Sequence, residues 1–284
     1  MKKIRKKRIV LIIIIAIVIY IAISITLSYK ALMVKSYDFK NSKVTQTIRI
    51  VQLSDNHNAV FGKDNANLCD KIKNVEPDLI LITGDLINSY DEDIKTATNL
   101  IKQLKNIAPV YISAGNHEYD YNDNFDSDVM KEFAESNAVC LDFEYEDIQI
   151  KGQQIRIGGF YGYGSTKDGK NDKDGAFLYD FQNTDRVKIL MAHMPLIFRS
   201  YGGIDYWDVD YVYSGHTHGG QVILPFIGGL YAPDEGVFAG RQRGVFYGKK
   251  AMLIISPGLG SSKQIVPRLN NIPQIIVTDI NPEN

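Results

Sequence analysis

The chain has 284 residues, 45% hydrophobic and 23% charged, with a formal net charge of −1. That size and composition fit one globular domain with a short addition, and they exclude a disordered or fibrous chain. The two cysteines, Cys69 and Cys140, stand in no C-x-x-C or other metal-type spacing, which excludes a thiolate metal site and a disulfide framework and leaves buried thiols or a single bridge.

The addition lies at the N-terminus. Lys2, Lys3, Arg5, Lys6, Lys7 and Arg8 precede an uncharged run from Ile9 to Tyr29 built almost wholly of Ile, Val, Leu and Ala. At roughly 1.5 Å per residue such a run reaches about 30 Å as a helix, the thickness of a bilayer's hydrocarbon, which predicts a transmembrane anchor with a cytoplasmic basic tail over residues 1–29. A signal peptide would have a shorter apolar core and a small-residue cleavage site, which Ser24, Thr26 and Ser28 imitate weakly. A buried core helix would show an amphipathic period. The basic cluster before the span, against Lys30, Lys35, Lys40 and Lys43 diluted by Asp38 after it, predicts a single-pass protein of the cell membrane with its main domain extracytoplasmic. Without those six basic residues the remainder carries 26 Lys and Arg against 33 Asp and Glu, a net charge of −7 that argues against a nucleic acid polymer as partner.

Residues 30–46 read as a polar linker and 47–284 as the folded domain. Ile48–Leu53 predicts a buried strand ending in Ser54-Asp55-Asn56-His57. Leu68, Ile72 and Val75 have helical spacing, and Leu79–Thr83 is a second strand running into Gly84-Asp85. Ile94, Ala97, Ile101 and Leu104 mark an amphipathic helix, after which Val110–Ser113 leads into Gly115-Asn116-His117-Glu118. Alternation of strand and helix predicts an α/β fold with a mainly parallel sheet, in which ligands gather beyond the carboxyl ends of strands. A helix is expected at 128–135, strands at 139–143, 145–150 and 155–160, and an exposed loop over 162–175. Val187–Met191 runs into His193, and Val209–Tyr213 into Gly215-His216-Thr217-His218-Gly219-Gly220. Phe246, Met252–Ile255 and Gln274–Thr278 read as strands completing a second sheet.

Singly, each polar ending is a common cap or turn. Together they are not, because all five histidines, His57, His117, His193, His216 and His218, fall just past a predicted strand. Carboxylate, amide and imidazole donors without thiolates suit divalent Mn, Fe, Zn or Ni. So many donors suit two ions about 3.5–4 Å apart, which clamp a phosphoryl group during in-line displacement.

The ordered set Asp55-x-His57, Gly84-Asp85, Gly115-Asn116-His117-Glu118, His193 and Gly215-His216-x-His218 resembles the calcineurin-like metallophosphoesterase superfamily, over nearly all of residues 47–280. Gly215–Gln221, with Val222, Pro225 and the later Gly258-Leu259-Gly260, is similar to its bacterial membrane-associated branch of UDP-diacylglucosamine pyrophosphohydrolase-like enzymes. The resemblance implies a four-layer α-β-β-α sandwich and a binuclear metal centre. It implies that Asp55, His57 and His218 bind one ion, that Asn116, His193 and His216 bind the other, and that Asp85 bridges them. His117 would protonate the leaving oxygen, a task suited to a group titrating near neutrality. The sequence departs from the family at Asn56, where an apolar residue is usual, and lacks the small glycine often found near Asn58-Ala59.

Arg241 and Arg243 follow the last ligands and could clamp a phosphate, although surface arginines need no special role. Glu118 or Asp120 could orient His117, and Tyr161, Tyr163, Tyr201, Tyr206 and Trp207 could line a pocket or simply pack. The leading functional expectation is hydrolysis of a phosphodiester or pyrophosphate in an envelope or lipid-linked substrate. The alternatives are a phosphodiesterase or nucleotidase acting on soluble nucleotides, and a catalytically silent metal-bound scaffold.

Overall fold

A computed structural model describes residues 2–163, 173–232, 236–238, 240, 242–262 and 267–283. The apolar run is a single helix, α1 (Lys2–Lys30), long and apolar enough to cross a membrane, with a mean hydropathy of 3.2 and nearly all of its span exposed.

The first sheet contains β1 (Met33–Asn41), β16 (Gln274–Pro282), β2 (Ile48–Leu53), β3 (Leu79–Thr83), β4 (Val110–Ser113) and β5 (Val139–Leu141), side by side in that order. The steps from β2 to β5 are parallel, as the strand and helix alternation predicts, and β16 is antiparallel to β2. The linker expectation is corrected here: residues 33–41 are a strand paired in parallel with β16. Asp38 and Lys40 make one face of this edge strand polar, while Phe39 on the other is buried between the sheets, so its pattern reads as linker although its backbone is paired.

The second sheet runs β14 (Gly244–Tyr247), β15 (Met252–Ile255), β9 (Tyr211–Ser214), β8 (Val187–Ala192), β7 (Gln153–Phe160) and β6 (Glu144–Ile150). The assignment of 274–278 to this sheet is also corrected, since β16 sits in the first one. Its Ile275 and Val277 pack under helices and its Ile276 and Ile280 pack between the sheets, a two-faced apolar pattern that fits either sheet until the pairing is known. Two small hairpins follow β9: β10 (Ile223–Leu224) with β11 (Gly228–Gly229), and β12 (Tyr231–Ala232) with β13 (Gly236–Val237).

Helices α2 (Ala66–Asn74), α3 (Lys95–Lys105), α4 (Asn116–Phe125) and α5 (Val129–Glu135) cover the first sheet, and α6 (Lys173–Phe181), α7 (Leu196–Arg199) and α8 (Gly203–Tyr206) cover the second. The side chains of β2 and β3 alternate accordingly. Val51, Leu53, Ile80 and Ile82 face α2 and α3, whereas Ile48, Ile50, Leu79 and Leu81 meet Ile157, Ile189, Met191 and Tyr213 across the gap between sheets. Each such buried aliphatic side chain contributes about 1.5–3 kcal/mol. The result is the four-layer α-β-β-α sandwich. Of the loop expected over 162–175, residues 164–172 lie outside the described residues, and Lys173–Gly175 open α6 with Asp174 buried. Cys69 and Cys140 are free thiols, pushed up to about 11 and about 12 by burial.

Candidate metal centre

The polar motifs all fall at one rim, because β2, β3, β4, β8 and β9 end there. Beyond those ends the chain turns sharply: Asp55, His57, Asp85, His216 and His218 take positive φ values of 49°, 48°, 53°, 66° and 47°. Left-handed backbone costs about 1–2 kcal/mol at a side-chain-bearing residue, and Asp and His tolerate it better than most. Hydrogen bonds between the turns hold it in place. Asp55 N–H donates to Gly84 O at 3.0 Å, His57 N–H to Asp85 O at 3.1 Å, Gly215 N–H to His193 O at 3.0 Å and Gly260 N–H to Asp55 O at 2.7 Å.

These turns bring together every metal-ligand candidate read from the sequence. Asp55, His57 and His218 each place a donor atom within 4.8 Å of the other two, and so do Asp85, His193 and His216. Asp85 joins the two groups: its Oδ2 lies 3.7 Å from His57 Nε2 and 3.4 Å from His193 Nε2. Asn116 Oδ1 lies 3.2 Å from His193 Nε2 and 3.1 Å from His216 Nδ1. Asp55, His57, Asp85, His193, His216 and His218 are all buried.

The donors fit a divalent cation. His57 Nε2 is buried with no hydrogen-bond partner among the described residues, which costs about 1–3 kcal/mol unless something accepts its lone pair. Burial holds His57 down at about 3 and His218 well below the ordinary range, so both imidazoles are neutral and offer lone pairs. Burial alone would raise Asp85, but the neighbouring His193 holds its carboxyl well below the usual range. Burial likewise opposes charge on His193, yet Asp85 raises it to about 10. A buried carboxylate that demands a cation beside it is the electrostatic condition of a metal ligand.

A surrounding layer orients the donors. His193 Nδ1–H donates to Thr83 O at 2.8 Å, which turns Nε2 toward Asp85 and Asn116. Ser54 Oγ–H donates to Asp55 Oδ2 at 2.5 Å and His216 N–H to Asp55 Oδ1 at 2.9 Å. Asn271 Nδ2–H donates to His218 O at 2.6 Å. The fully buried Arg268 donates to the carbonyls of Gly260 at 2.6 Å and Pro257 at 3.0 Å, in the loop packed on Asp55. Gly215 has no room for a side chain, since a Cβ there would overlap Ser54 Oγ and Asp55 Oδ2. Gly215→Ala is therefore expected to lower kcat about a hundredfold while the far-ultraviolet circular dichroism stays native, because an ångström of ligand displacement has that effect.

Glu118 does not orient His117. Its buried carboxylate accepts from Asp85 N–H at 2.8 Å, Leu86 N–H at 2.9 Å and Gly115 N–H at 2.8 Å, clasping the β3 turn to the start of α4. Burial, with the Asp85 charge nearby, pushes it up to about 7. Glu118→Ala strands three buried amides, so we expect a loss of about 4 kcal/mol and a melting temperature lower by about 10 °C in calorimetry. A capping residue three positions into a helix was the available sequence signal for this role. Asp120 is exposed.

His117 is half-buried, with its ring edge-on to His57 at 4.6 Å between centroids and a donor atom within 4.8 Å of Asp85 and His57. Its Nδ1 accepts from Ser89 N–H at 2.9 Å, so the neutral ring carries its proton on Nε2. Tyr161 stacks toward His193 at 6.2 Å, whereas Trp207 belongs to the core under the second sheet. Arg243 lines a cleft of about 320 Å³ together with Gly219 and Gly229, next to the His218 turn. Arg241 lies outside the described residues.

A model of the family described as calcineurin-like phosphoesterase matches residues 48–220, from β2 through Gly220, the stretch that holds every donor of this cluster. The chain belongs to that family. An uncharacterized metallophosphoesterase of Campylobacter jejuni, Cj0846, is 31% identical over 246 residues, covering 84% of this chain and 60% of that protein. A bovine transmembrane protein with metallophosphoesterase domain is 28% identical over 229 residues, covering 71% of this chain and 49% of its own length. An uncharacterized metallophosphoesterase of Aquifex aeolicus is 25% identical over 265 residues, covering 88% of this chain and 92% of that protein. The chain spans 60% of the length of the Campylobacter relative and 49% of the bovine one, and within this calcineurin-like phosphoesterase family member the buried carboxylates and imidazoles suit a divalent metal site.

Proposed function

We propose that the chain is a membrane-anchored phosphoesterase that uses two divalent ions to hydrolyse a phosphodiester or pyrophosphate bond in a lipid-linked or envelope substrate. Asp55, His57 and His218 hold one ion, Asn116, His193 and His216 the other, and Asp85 both. The observation that carries the reading is Asp85 Oδ2 standing between His57 Nε2 and His193 Nε2. Such ions, when bound, supply charge neutralisation at the phosphoryl group and acidification of a water molecule. The chain's own residues do the rest. His117 N–H fixes Asp85 Oδ1 at 2.9 Å, which keeps the carboxylate aimed at both sets of imidazoles. His117 Nε2–H faces the same space and donates its proton to the departing oxygen. Arg243, in the adjoining cleft, offers a guanidinium to a phosphate oxygen.

The exposed apolar surface of α1 supports the anchor, and the bovine relative's name describes a transmembrane protein. The basic residues before Ile9 support an extracytoplasmic catalytic domain. An anchored active site meets bilayer substrates at high effective concentration, which favours lipid-linked esters over soluble nucleotides. The test is a substrate panel on the full chain in mixed micelles after reconstitution with Mn, Fe, Zn or Ni. Metal-dependent turnover that is faster on lipid-linked diesters or pyrophosphates than on soluble nucleotides is expected. Equal or faster turnover of the soluble esters would reduce the anchor to a means of localisation.

A further inference from the structure

The catalytic domain grips α1 along part of its apolar length rather than hanging from its end. Tyr20 Oη–H donates to Asn270 Oδ1 at 2.8 Å, Ser24 Oγ–H to the same oxygen at 2.7 Å, and Asn270 N–H back to Ser24 Oγ at 2.8 Å. Asn271 N–H donates to Ser28 Oγ at 3.1 Å, and Arg268 N–H to Tyr29 Oη at 3.3 Å. Tyr20, Ser24 and Ser28 follow one another at four-residue spacing, so they form one stripe on an otherwise apolar helix. From Tyr20 to Tyr29 the grip covers about 13 Å of helix axis. The remaining apolar stretch, Ile9–Ile19, is only about 16 Å long, roughly half the hydrocarbon thickness. With α1 spanning the bilayer, the Asn270 edge of the domain must lie inside one leaflet.

That edge is built for it. Asn270 Nδ2–H also donates to Ile223 O at 3.0 Å, and Val222 bridges to Leu269, so the loop that holds α1 also holds the β10–β11 hairpin. From Val222 to Ala232 the sequence contains no charged residue. Phe226 at the hairpin tip is fully exposed and Ile227 is 66% exposed, with Val237 and Phe238 exposed on the next hairpin. The hairpin is short and closed by its own hydrogen bonds, with Leu230 N–H donating to Val222 O at 2.8 Å, which limits the unpaired backbone brought into hydrocarbon.

We propose that the β10–β11 hairpin, beside α1, is sunk into the leaflet and sets the metal centre at headgroup depth, where it takes amphiphilic phosphate esters from that same leaflet. The proposal rests on the membrane reading of α1 given above. Ile223 follows the candidate ligand His218 by five residues, at most about 17 Å of chain, and Asn271, next to the residue that grips α1, donates to His218 O. The cleft holding Arg243 is walled on its apolar side by Ile227, Phe238 and Phe246, an arrangement that accepts an acyl chain below a phosphate.

The test is Phe226→Trp in the full chain, reconstituted in vesicles of phosphatidylcholine brominated along the acyl chains. Trp207, the sequence's one tryptophan, is 1% exposed in the core and serves as the internal background. The emission added by Phe226→Trp should be blue-shifted and quenched several-fold by the bromines, with the wild-type signal unchanged. In parallel, Phe226→Asp should lower turnover of a vesicle-embedded phosphodiester about tenfold, the equivalent of losing one aromatic contact with hydrocarbon, and leave turnover of a soluble ester unchanged. Red, unquenched emission from Phe226→Trp on a chain that still floats with vesicles would overturn the insertion while leaving the anchor intact. Failure to float would overturn both. Absence of any phosphoesterase turnover in the wild type would sink the proposed function without altering the quenching result.

Discussion

Asp85→Ala is expected to lose about three orders of magnitude in kcat/KM and to lose the thermal stabilisation that divalent metal gives the wild type. The magnitude follows from what the carboxylate faces. Its Oδ2 lies within 3.7 Å of His57 Nε2 and 3.4 Å of His193 Nε2, in a site with 1% exposure at Asp85, so water cannot replace it. Removing one member of a buried charged cluster costs about 3–5 kcal/mol. Metal at a thousandfold excess over its dissociation constant stabilises a fold by about 4 kcal/mol, so its loss is visible in a melting curve. Asp85→Asn separates ligation from scaffolding. It keeps the acceptor for His117 N–H and the shape of the turn, so the apo protein should melt near the wild-type temperature while metal content, measured by mass spectrometry, falls. Wild-type metal content or activity within tenfold in Asp85→Asn would remove Asp85 from the centre of the site.

The parts of this molecule that the sequence revealed are those where a local pattern has one physical reading. Runs such as Ile48–Leu53 and Leu79–Thr83 are too short for helices and end in residues that favour left-handed turns, so strands with polar tips follow, and with them the candidate donors. What escaped depends on non-local partners. β1 reads as linker because an edge strand has a solvated face, and β16 reads as part of either sheet because both of its faces are apolar. α4 is polar almost throughout, and its start is fixed by Glu118 clasping a turn from another strand. Arg268 would pass for a surface cation by type. Its burial is tolerated because Nε and both Nη groups reach carbonyls, while burial pushes its pKa down to about 10. Ser24 and Ser28 resemble a weak cleavage signal when read alone, and their role as ties to Asn270 and Asn271 needs a partner some 240 residues away.

His117→Ala is expected to lower kcat about 10²–10⁴-fold on esters whose leaving group is an alcohol, and only about tenfold on nitrophenyl esters, whose leaving group departs without a proton. The difference isolates proton donation from every structural role. Ser89 N–H occupies His117 Nδ1, which places the neutral ring's proton on Nε2, and the ring packs edge-on against His57 at the mouth of the cluster. The main-chain N–H that fixes Asp85 Oδ1 survives the substitution, so metal content and metal-induced stabilisation should match the wild type. His117→Asn retains polarity without a titratable proton and should resemble Ala rather than the wild type. Equal losses on both leaving-group classes would reassign His117 to binding the phosphoryl charge, since a donor that stabilises charge without transferring its proton does not discriminate by the pKa of the departing oxygen.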